Sequence, residues 1–202
     1  MPWIFIAAAI LLAAVFFNRK MSIEPALEQI GHITGGTIVR SWKWGFHPAL
    51  KQVIGPDTAF FYITANRECC LWVEAAAMKG AKDIYVSDTR IMTLGKSATG
   101  DADFDAVFST GRHPHLKPGP GQNPESVSAD FKTALMALKD TICKKTTNRY
   151  VTFSHPEGTQ VAIVKVENFY IPKTDPVNVL VDIQRKMVAV YRAYIQFATT
   201  PD

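Results

Sequence analysis

The chain has few cysteines, and their number and positions argue against a disulfide framework. Only three of its 202 residues are cysteine: Cys69, Cys70 and Cys143. Neighbouring residues of a strand point to opposite faces of a sheet, so Cys69 and Cys70 are poor partners for each other. A sparse, odd set of thiols is more typical of a reducing compartment than of an oxidising one. The cysteine content therefore indicates a cytoplasmic location for the folded part.

The chain also lacks a long run of basic residues. Its formal net charge is +4, from 22 basic and 18 acidic residues. Without Arg19 and Lys20 the balance is 20 against 18, or +2. A nucleic-acid-binding surface needs a concentrated basic patch, so nucleic acid is not an expected partner. With 48% hydrophobic and 20% charged residues, the composition instead predicts one globular domain with an appendage.

The first twenty residues contain a segment without charge. No charged or strongly polar side chain occurs from Trp3 to Phe17. As a helix these residues would span about 22 Å, and the long side chains of Arg19 and Lys20 can reach towards lipid headgroups. The basic residues follow the apolar run, whereas a secretion signal carries them before it. This order predicts a single transmembrane helix with the N-terminus outside and the rest of the chain in the cytoplasm.

The predicted division is a membrane anchor at residues 1–20 and a cytoplasmic domain at residues 21–202. The predicted location is a bacterial inner membrane, with the lipid bilayer as one partner. A cleaved signal and a buried core helix are the alternatives, and Met21 is an alternative start. The residues assigned to the anchor are Trp3, Ile4, Phe5, Ile6, Leu11, Leu12, Val15, Phe16, Phe17, Arg19 and Lys20.

Three segments predict helices in the remainder. Residues 22–36 combine an early Pro25 with a terminal pair of glycines. Residues 128–145 repeat apolar side chains at helical spacing. A third helix begins near residue 174, where an Asp-Pro pair precedes a long apolar stripe.

Strands are predicted between these helices. Residues 37–46, 58–65, 68–77 and 83–92 are rich in β-branched, aromatic or apolar side chains, and residues 47–55 are ambiguous. A shorter strand is expected at 104–110, and a hairpin turning at Pro156–Gly158 completes the set. The order predicts an α+β domain with a mostly antiparallel sheet.

Two segments are predicted to contact a partner. Trp42 and Trp44 would share one face of the strand at 37–46, where aromatic side chains could meet lipid headgroups or another protein. Ordinary core packing is the competing interpretation. The Pro- and Gly-rich loop at 111–126 has four basic or histidine side chains suited to the same role: Arg112, His113, His115 and Lys117.

Patterns for catalysis or metal binding are incomplete. Asp101, Asp103 and Asp105 resemble the start of a calcium loop, but Ala and Arg stand where the pattern needs Gly and Glu. Ser154 and His155 are adjacent in a predicted strand and would point apart. We therefore expect no enzymatic activity, no metal and no cofactor.

The last hundred residues resemble a group of uncharacterised bacterial membrane-anchored proteins. The similarity lies in an F-D-x-x-F segment at 104–108, followed by a helix, a hairpin and a terminal helix opening with Asp-Pro. Those families have two N-terminal apolar helices, where this chain has one apolar run. The resemblance implies a membrane-anchored protein with a cytoplasmic α+β domain and implies no catalytic residues.

Together these features predict a non-catalytic accessory or scaffold subunit. It would be a single-pass component of a larger inner-membrane complex, such as a photosynthetic or respiratory one, with other membrane-protein subunits as partners. The alternative is a membrane-tethered ligand-binding or sensory domain.

Overall fold

The computed structural model describes residues 4–7, 10–11, 23–44, 47–64, 68–76, 84–88, 94–112, 127–143, 149–156, 159–169 and 174–199. The helices are α1 (Glu24–Thr34), α2 (Ala102–Val107), α3 (Ala129–Cys143) and α4 (Pro176–Thr199), with a 3-10 helix at Trp42–Trp44. The strands are β1 (Thr37–Arg40), β2 (Pro48–Ile54), β3 (Asp57–Ile63), β4 (Cys69–Glu74), β5 (Ile84–Asp88), β6 (Leu94–Ser97), β7 (Phe108–Arg112), β8 (Tyr150–His155) and β9 (Val161–Glu167).

The nine strands form one sheet in the order β1-β2-β3-β4-β9-β8-β5-β7-β6, and every described pairing is antiparallel. The first four strands form a meander, while the last two strands of the chain lie at the centre of the sheet. The last hairpin therefore joins the two halves: β9 pairs with β4, and β8 pairs with β5.

The inner face of the sheet carries the main core, which α1, α3 and α4 cover. In β9, the side chains of Ala162, Val164 and Val166 are buried while their neighbours are less so, as period-two alternation requires. The largest fully buried inner side chains include Phe61, Phe153 and Tyr191. The core thus lies between the sheet and a single layer of helices.

Helix α4 is attached to the inner face by polar contacts as well as apolar ones. Its contacts with three different strands are Gln184 Nε2 to Gln52 Oε1 at 2.5 Å, Tyr191 Oη to Asp57 Oδ2 at 2.7 Å, and Tyr194 Oη with His155 Nδ1 at 2.7 Å. The three helix residues are spaced seven and three apart, so they share one helical face. This row of contacts defines where the helix lies on β2, β3 and β8.

A glycine after α1 permits the chain to enter β1 close to β2. Gly36 has a φ of +149°, and a Cβ added there would lie 2.7 Å from the Lys51 carbonyl oxygen. Only glycine leaves room for this approach.

The structure confirms an α+β architecture with an antiparallel sheet but not the transmembrane helix expected with it. Within the described ranges, no helix has both the length and the apolarity that a membrane span needs. Helix α4 is long enough, at 24 residues, but it carries the charged side chains Asp182, Arg185, Lys186 and Arg192. This finding overturns the predicted single transmembrane helix and the predicted inner-membrane location.

The residues assigned to that anchor divide into two groups. Four of them occupy exposed helical positions: Ile4, Phe5, Ile6 and Leu11. The others lie outside the described residues: Trp3, Leu12, Val15, Phe16, Phe17, Arg19 and Lys20.

Two predicted strands also differ from the structure. The strand expected through residue 46 ends at Arg40 and is followed by the 3-10 helix. The strand expected at 104–110 begins only at Phe108, because Asp101 caps α2: its Oδ1 accepts the Phe104 N–H at 3.1 Å. Asp105 accepts both N–H groups of Thr99 and Gly100, which fixes the turn before the helix.

Candidate functional site on the outer face of the sheet

The outer face of the sheet is the face opposite α1, α3 and α4. The strand register places its side chains in rows that cross the sheet. One row runs Lys51, Phe60, Trp72, Ile163, Ser154 and Tyr85. The adjacent row runs Ala49, Tyr62, Cys70, Lys165, Thr152, Ser87 and Ser109. The face therefore changes from aromatic and apolar on β2–β4 to hydroxyl-bearing on β8, β5 and β7.

We call the β1–β4 part of this face the aromatic half. Its centre is a small second core formed by Trp44, Ala49, Phe60, Tyr62 and Cys70, which is separate from the main core. The ring centroids of Trp44 and Phe60 are 4.7 Å apart, and those of Trp44 and Tyr62 are 5.8 Å apart. The Trp44 Nε1–H donates to the His47 carbonyl oxygen at 3.0 Å. Trp44 is thus a buried anchor that holds the 3-10 helix onto the sheet.

Trp42 and Trp44 do not share a face as predicted, because they belong to a 3-10 helix and not to a strand. Trp44 is buried, as the core-packing interpretation predicts, whereas the Trp42 side chain is 75% exposed. Between them, Lys43 Nζ reaches Glu74 Oε1 at 2.8 Å. Glu74 lies in the same row as Thr58 and Val53, and Val53 is 76% exposed. Val53 therefore lies in the row that ends at Glu74, and Trp42 belongs to the 3-10 helix that Lys43 joins to Glu74.

The charges of the aromatic half are mostly paired. Lys43 pairs with Glu74. Lys165 Nζ lies 3.1 Å from Glu68 Oε1 and 2.8 Å from Glu167 Oε1. Lys51 is exposed and has no carboxylate partner within the described part of the chain. Among the described residues, one positive charge without a carboxylate partner therefore remains on this face, on Lys51, two residues from Val53 and directly opposite Phe60.

The titratable groups Cys70, Tyr62 and Lys165 are held in their protonated forms, so that Cys70 and Tyr62 are neutral and Lys165 is a cation. Burial, and then the negative charge of Glu68, raises the pKa of the Cys70 thiol from 9.0 to about 12. Burial, and then the neighbouring Cys70, raises the pKa of Tyr62 above its usual value. Burial lowers the pKa of Lys165, but its contacts with Glu167 and Glu68 outweigh this and raise it overall. At neutral pH the Cys70 sulfur is a thiol and not a nucleophilic thiolate.

The adjacent cysteines do point in opposite directions. Cys69 belongs to the main core of the inner face and Cys70 to the aromatic half, and both are free. Ser154 and His155 are separated in the same way, since Ser154 pairs with Ile163 on the outer face while His155 contacts Tyr194 on the inner one. Among the described residues, no group of three His, Cys, Asp or Glu side chains could hold a metal ion.

The other residues predicted to contact a partner are not brought into this site. Arg112 ends β7, far along the sheet from β2. His113, His115 and Lys117 lie outside the described residues.

Sequence reasoning missed most of the aromatic half. Phe60 and Tyr62 were within a segment that is apolar at every position, so period two could not separate its two faces. Val53 and Lys51 belonged to a segment that was ambiguous between helix and strand. No period-two signal could have identified them, because Lys51 and Gln52 are both polar and Val53 and Ile54 are both apolar.

Comparison of the chain with protein-family models, with curated proteins and with solved structures found no match. The functional proposals below therefore rest on the geometry alone.

Proposed function

We propose that the chain is a non-catalytic accessory subunit that docks a partner protein on the aromatic half of its outer face. The observation that carries this proposal is the exposure of Trp42 and Val53, two apolar side chains that are each about three quarters exposed. Exposed apolar side chains clustered beside an aromatic surface are typical of protein interaction sites, and tryptophan is enriched in their energetic centres.

The charge pattern supports one class of occupant. Three basic side chains lie on or beside the aromatic half, Lys43, Lys51 and Lys165, and Lys51 alone lacks a carboxylate partner among the described residues. The remaining charges cancel locally, so this surface does not attract a polyanion such as nucleic acid. The proposed occupant is an apolar segment of another protein that carries an aspartate or glutamate opposite Lys51.

The rigidity of the site supports docking without rearrangement. Trp44 is anchored by two aromatic contacts and one hydrogen bond, and β2–β4 form a continuous ladder beneath it. Side chains fixed in this way lose little conformational entropy when a partner binds.

The test is copurification of the full-length chain from its own cells, with quantitative mass spectrometry. One partner is expected with the unaltered chain, and its yield should fall at least tenfold in W42S/V53S and in K51E. A loss of about 1.4 kcal/mol of binding free energy is enough for this change. The matched control is I33S, because Ile33 is also exposed, at 50%, but lies on α1.

Folding of each variant is checked by thermal unfolding, since surface substitutions should change stability by only about 0.5 kcal/mol. The proposal fails if W42S/V53S retains the same partner as the unaltered chain. It also fails if the only associated molecule is a second copy of this chain, seen as a concentration-dependent dimer in sedimentation.

A further inference from the structure

Strand β1 forms one edge of the sheet. It pairs with β2 alone among the described strands, and each of its four residues has a partner there. Neighbouring N–H groups of an edge strand point alternately toward the paired strand and toward the open side. Within the described part of the chain, no backbone group of β1 bonds to anything other than β2. About half of its N–H and C=O groups are therefore available to another strand.

The two edges of the sheet differ in how far they are protected against further pairing. Both edge strands have four residues, so length does not distinguish them. Proline, a β-bulge or an uncompensated charge usually blocks an edge. The β1 sequence, Thr-Ile-Val-Arg, has no proline, its register with β2 is regular, and its Arg40 is paired with Glu24 of α1. The pairing of β6 with β7 instead shifts register between Leu94 and Ser97. Of the two edges, β1 is the one suited to pairing.

The two exposed apolar side chains of the proposed docking function lie beyond the two ends of β1. Trp42 comes two positions after the last residue of the strand. Val53 comes two positions after Lys51, which pairs with Thr37, the first residue of the strand. No β1 residue stands beside Val53, which is consistent with its exposure. A segment laid along β1 therefore runs from the neighbourhood of one to that of the other.

We propose that the partner protein binds by strand addition, with an extended segment of about six residues lying beside β1 as a further strand of the sheet. This inference rests on the proposed docking function and specifies the conformation of the docked segment. An extended segment can pair its main chain with the available N–H and C=O groups of β1. A helix cannot, because its own main-chain groups are bonded internally.

The neighbours of β1 define the side chains that the docked segment needs. Ile38 packs against the main core on the inner face, and Val39 packs against the aromatic half on the outer face. Apolar side chains are expected beside both. An aspartate or glutamate is expected beside Thr37, because Lys51 is the next residue in that row. The carboxylate-bearing residue and Lys51 would be two strand spacings apart, about 10 Å, which a glutamate and a lysine side chain can bridge together.

The first test is residue-resolved hydrogen–deuterium exchange of the full-length chain, alone and in the complex that copurifies from its own cells. In the free chain, the β1 N–H groups bonded to β2 should exchange slowly and those between them rapidly. In the complex, the rapid ones should slow by about tenfold or more, because they gain a hydrogen bond. The N–H groups of β6 are the control and should exchange equally in both samples.

The outcomes separate strand addition from docking itself. A bound partner with unchanged exchange in β1 overturns strand addition and leaves docking on the aromatic half standing. Recovery of no partner overturns both.

The second test compares the proline variants T37P and R40P, since both side chains are exposed and the residues are three apart. One of the two N–H groups therefore points to β2 and the other to the open side, and the exchange rates in the free chain identify which. Proline at the open-side position is tolerated in an edge strand but removes the donor, so the partner yield should fall about tenfold.

The matched controls are T37A and R40A, which keep the N–H and should retain the partner. A proline at the open-side position that binds the partner as well as its alanine control would contradict strand addition. If that proline variant does not fold, as thermal unfolding would show, the exchange experiment on the unaltered chain decides the question.

Discussion

Replacing Lys139 with methionine is expected to lower the free energy of unfolding by about 3–5 kcal/mol. Lys139 lies on α3 and forms an ion pair with Asp88 of β5, and both are almost fully buried. Its Nζ also donates to the Arg149 carbonyl oxygen at 3.1 Å. Without the lysine, the Asp88 carboxylate remains in a low-dielectric interior and loses the positive charge of its ion-pair partner. Since small domains are stable by only about 5–15 kcal/mol, this one change removes a large share of the total.

Urea unfolding of K139M measures this effect, and K186M is the matched control. Lys186 pairs with Asp182 one turn away on α4, but both side chains are substantially exposed, at 34% and 54%. An exposed pair of this kind contributes only about 0.3–0.5 kcal/mol. In D88N/K139M the stranded charge is gone, so much of the lost stability should return. Equal effects of K139M and K186M would show that burial of the first pair is energetically unimportant.

Alkaline pH is expected to destabilise the fold steeply above about pH 9. Burial raises the pKa of Cys69, of Cys70 (from 9.0 to about 12) and of Tyr191, for which the hydrogen bond to Asp57 adds to the effect. Burial likewise raises the pKa of Tyr62, and the carboxylates around Lys165 raise that of its ammonium group. In each case the folded chain holds its proton at a pH at which the unfolded chain releases it.

The direction of the pH dependence follows from the difference between the folded and the unfolded pKa of each group. Below the unfolded pKa both states are protonated and the stability is fully present, whereas above it the unfolded state gains stability by losing protons. For Cys70 the loss therefore begins near pH 9 and continues until the folded pKa of about 12. Each group contributes a slope of about 1.4 kcal/mol per pH unit inside its window. The two cysteines alone predict a fall of about 2 kcal/mol between pH 9 and pH 10, because their unfolded thiols are only half ionised at pH 9.

Chemical unfolding at a series of pH values from 7 to 11 measures this slope. The variant C69A/C70A should have a flatter slope between pH 9 and pH 10, whatever its stability at neutral pH. Tyr191→Phe should instead reduce the slope above pH 10 and leave the slope between pH 9 and pH 10 unchanged. A stability that is constant up to pH 10 in the unaltered chain would contradict the burial of these groups.

The elements with strong local signals were predictable from sequence. Helix α3 follows from the spacing of Phe131, Leu135 and Leu138, and α4 from the Asp-Pro start at residue 175. The β8–β9 hairpin follows from two apolar runs around a Pro-Glu-Gly turn. In these segments periodicity and turn chemistry agree, so local sequence suffices to assign the element.

Other elements depend on contacts that are distant in sequence. The segment around Trp42 and Trp44 has strand-forming residues, but packing of Trp44 on Phe60 and Tyr62 holds it as a 3-10 helix. The segment at 104–107 was predicted as a strand from the β propensity of Phe104 and Val107, but the capping role of Asp101 outweighs that propensity and makes it the end of α2. In both cases a single tertiary or capping contact decides the conformation.

The arrangement of the outer face was less predictable than the elements of the fold. Lys51, Val53 and Trp72 become neighbours only through the pairing of three strands. Ser87, Thr152 and Ser109 come from separate parts of the chain. No local sequence pattern predicts that the outer face of their strands is buried as well as the inner face. The apolar run at 3–17 instead gave a wrong prediction. Its lack of charge indicates a transmembrane helix, which the structure contradicts.

The most direct measurement of the central claim is photo-crosslinking from position 53 of the full-length chain in its own cells. A photoreactive phenylalanine at Val53 should crosslink to one partner protein, within a segment that contains an aspartate or glutamate. The same residue placed at Ile33 should give no such product, and K51E should abolish the crosslink from position 53 while K51R retains it. Crosslinking that is equal from positions 33 and 53, or that joins two copies of this chain, would contradict docking on the aromatic half.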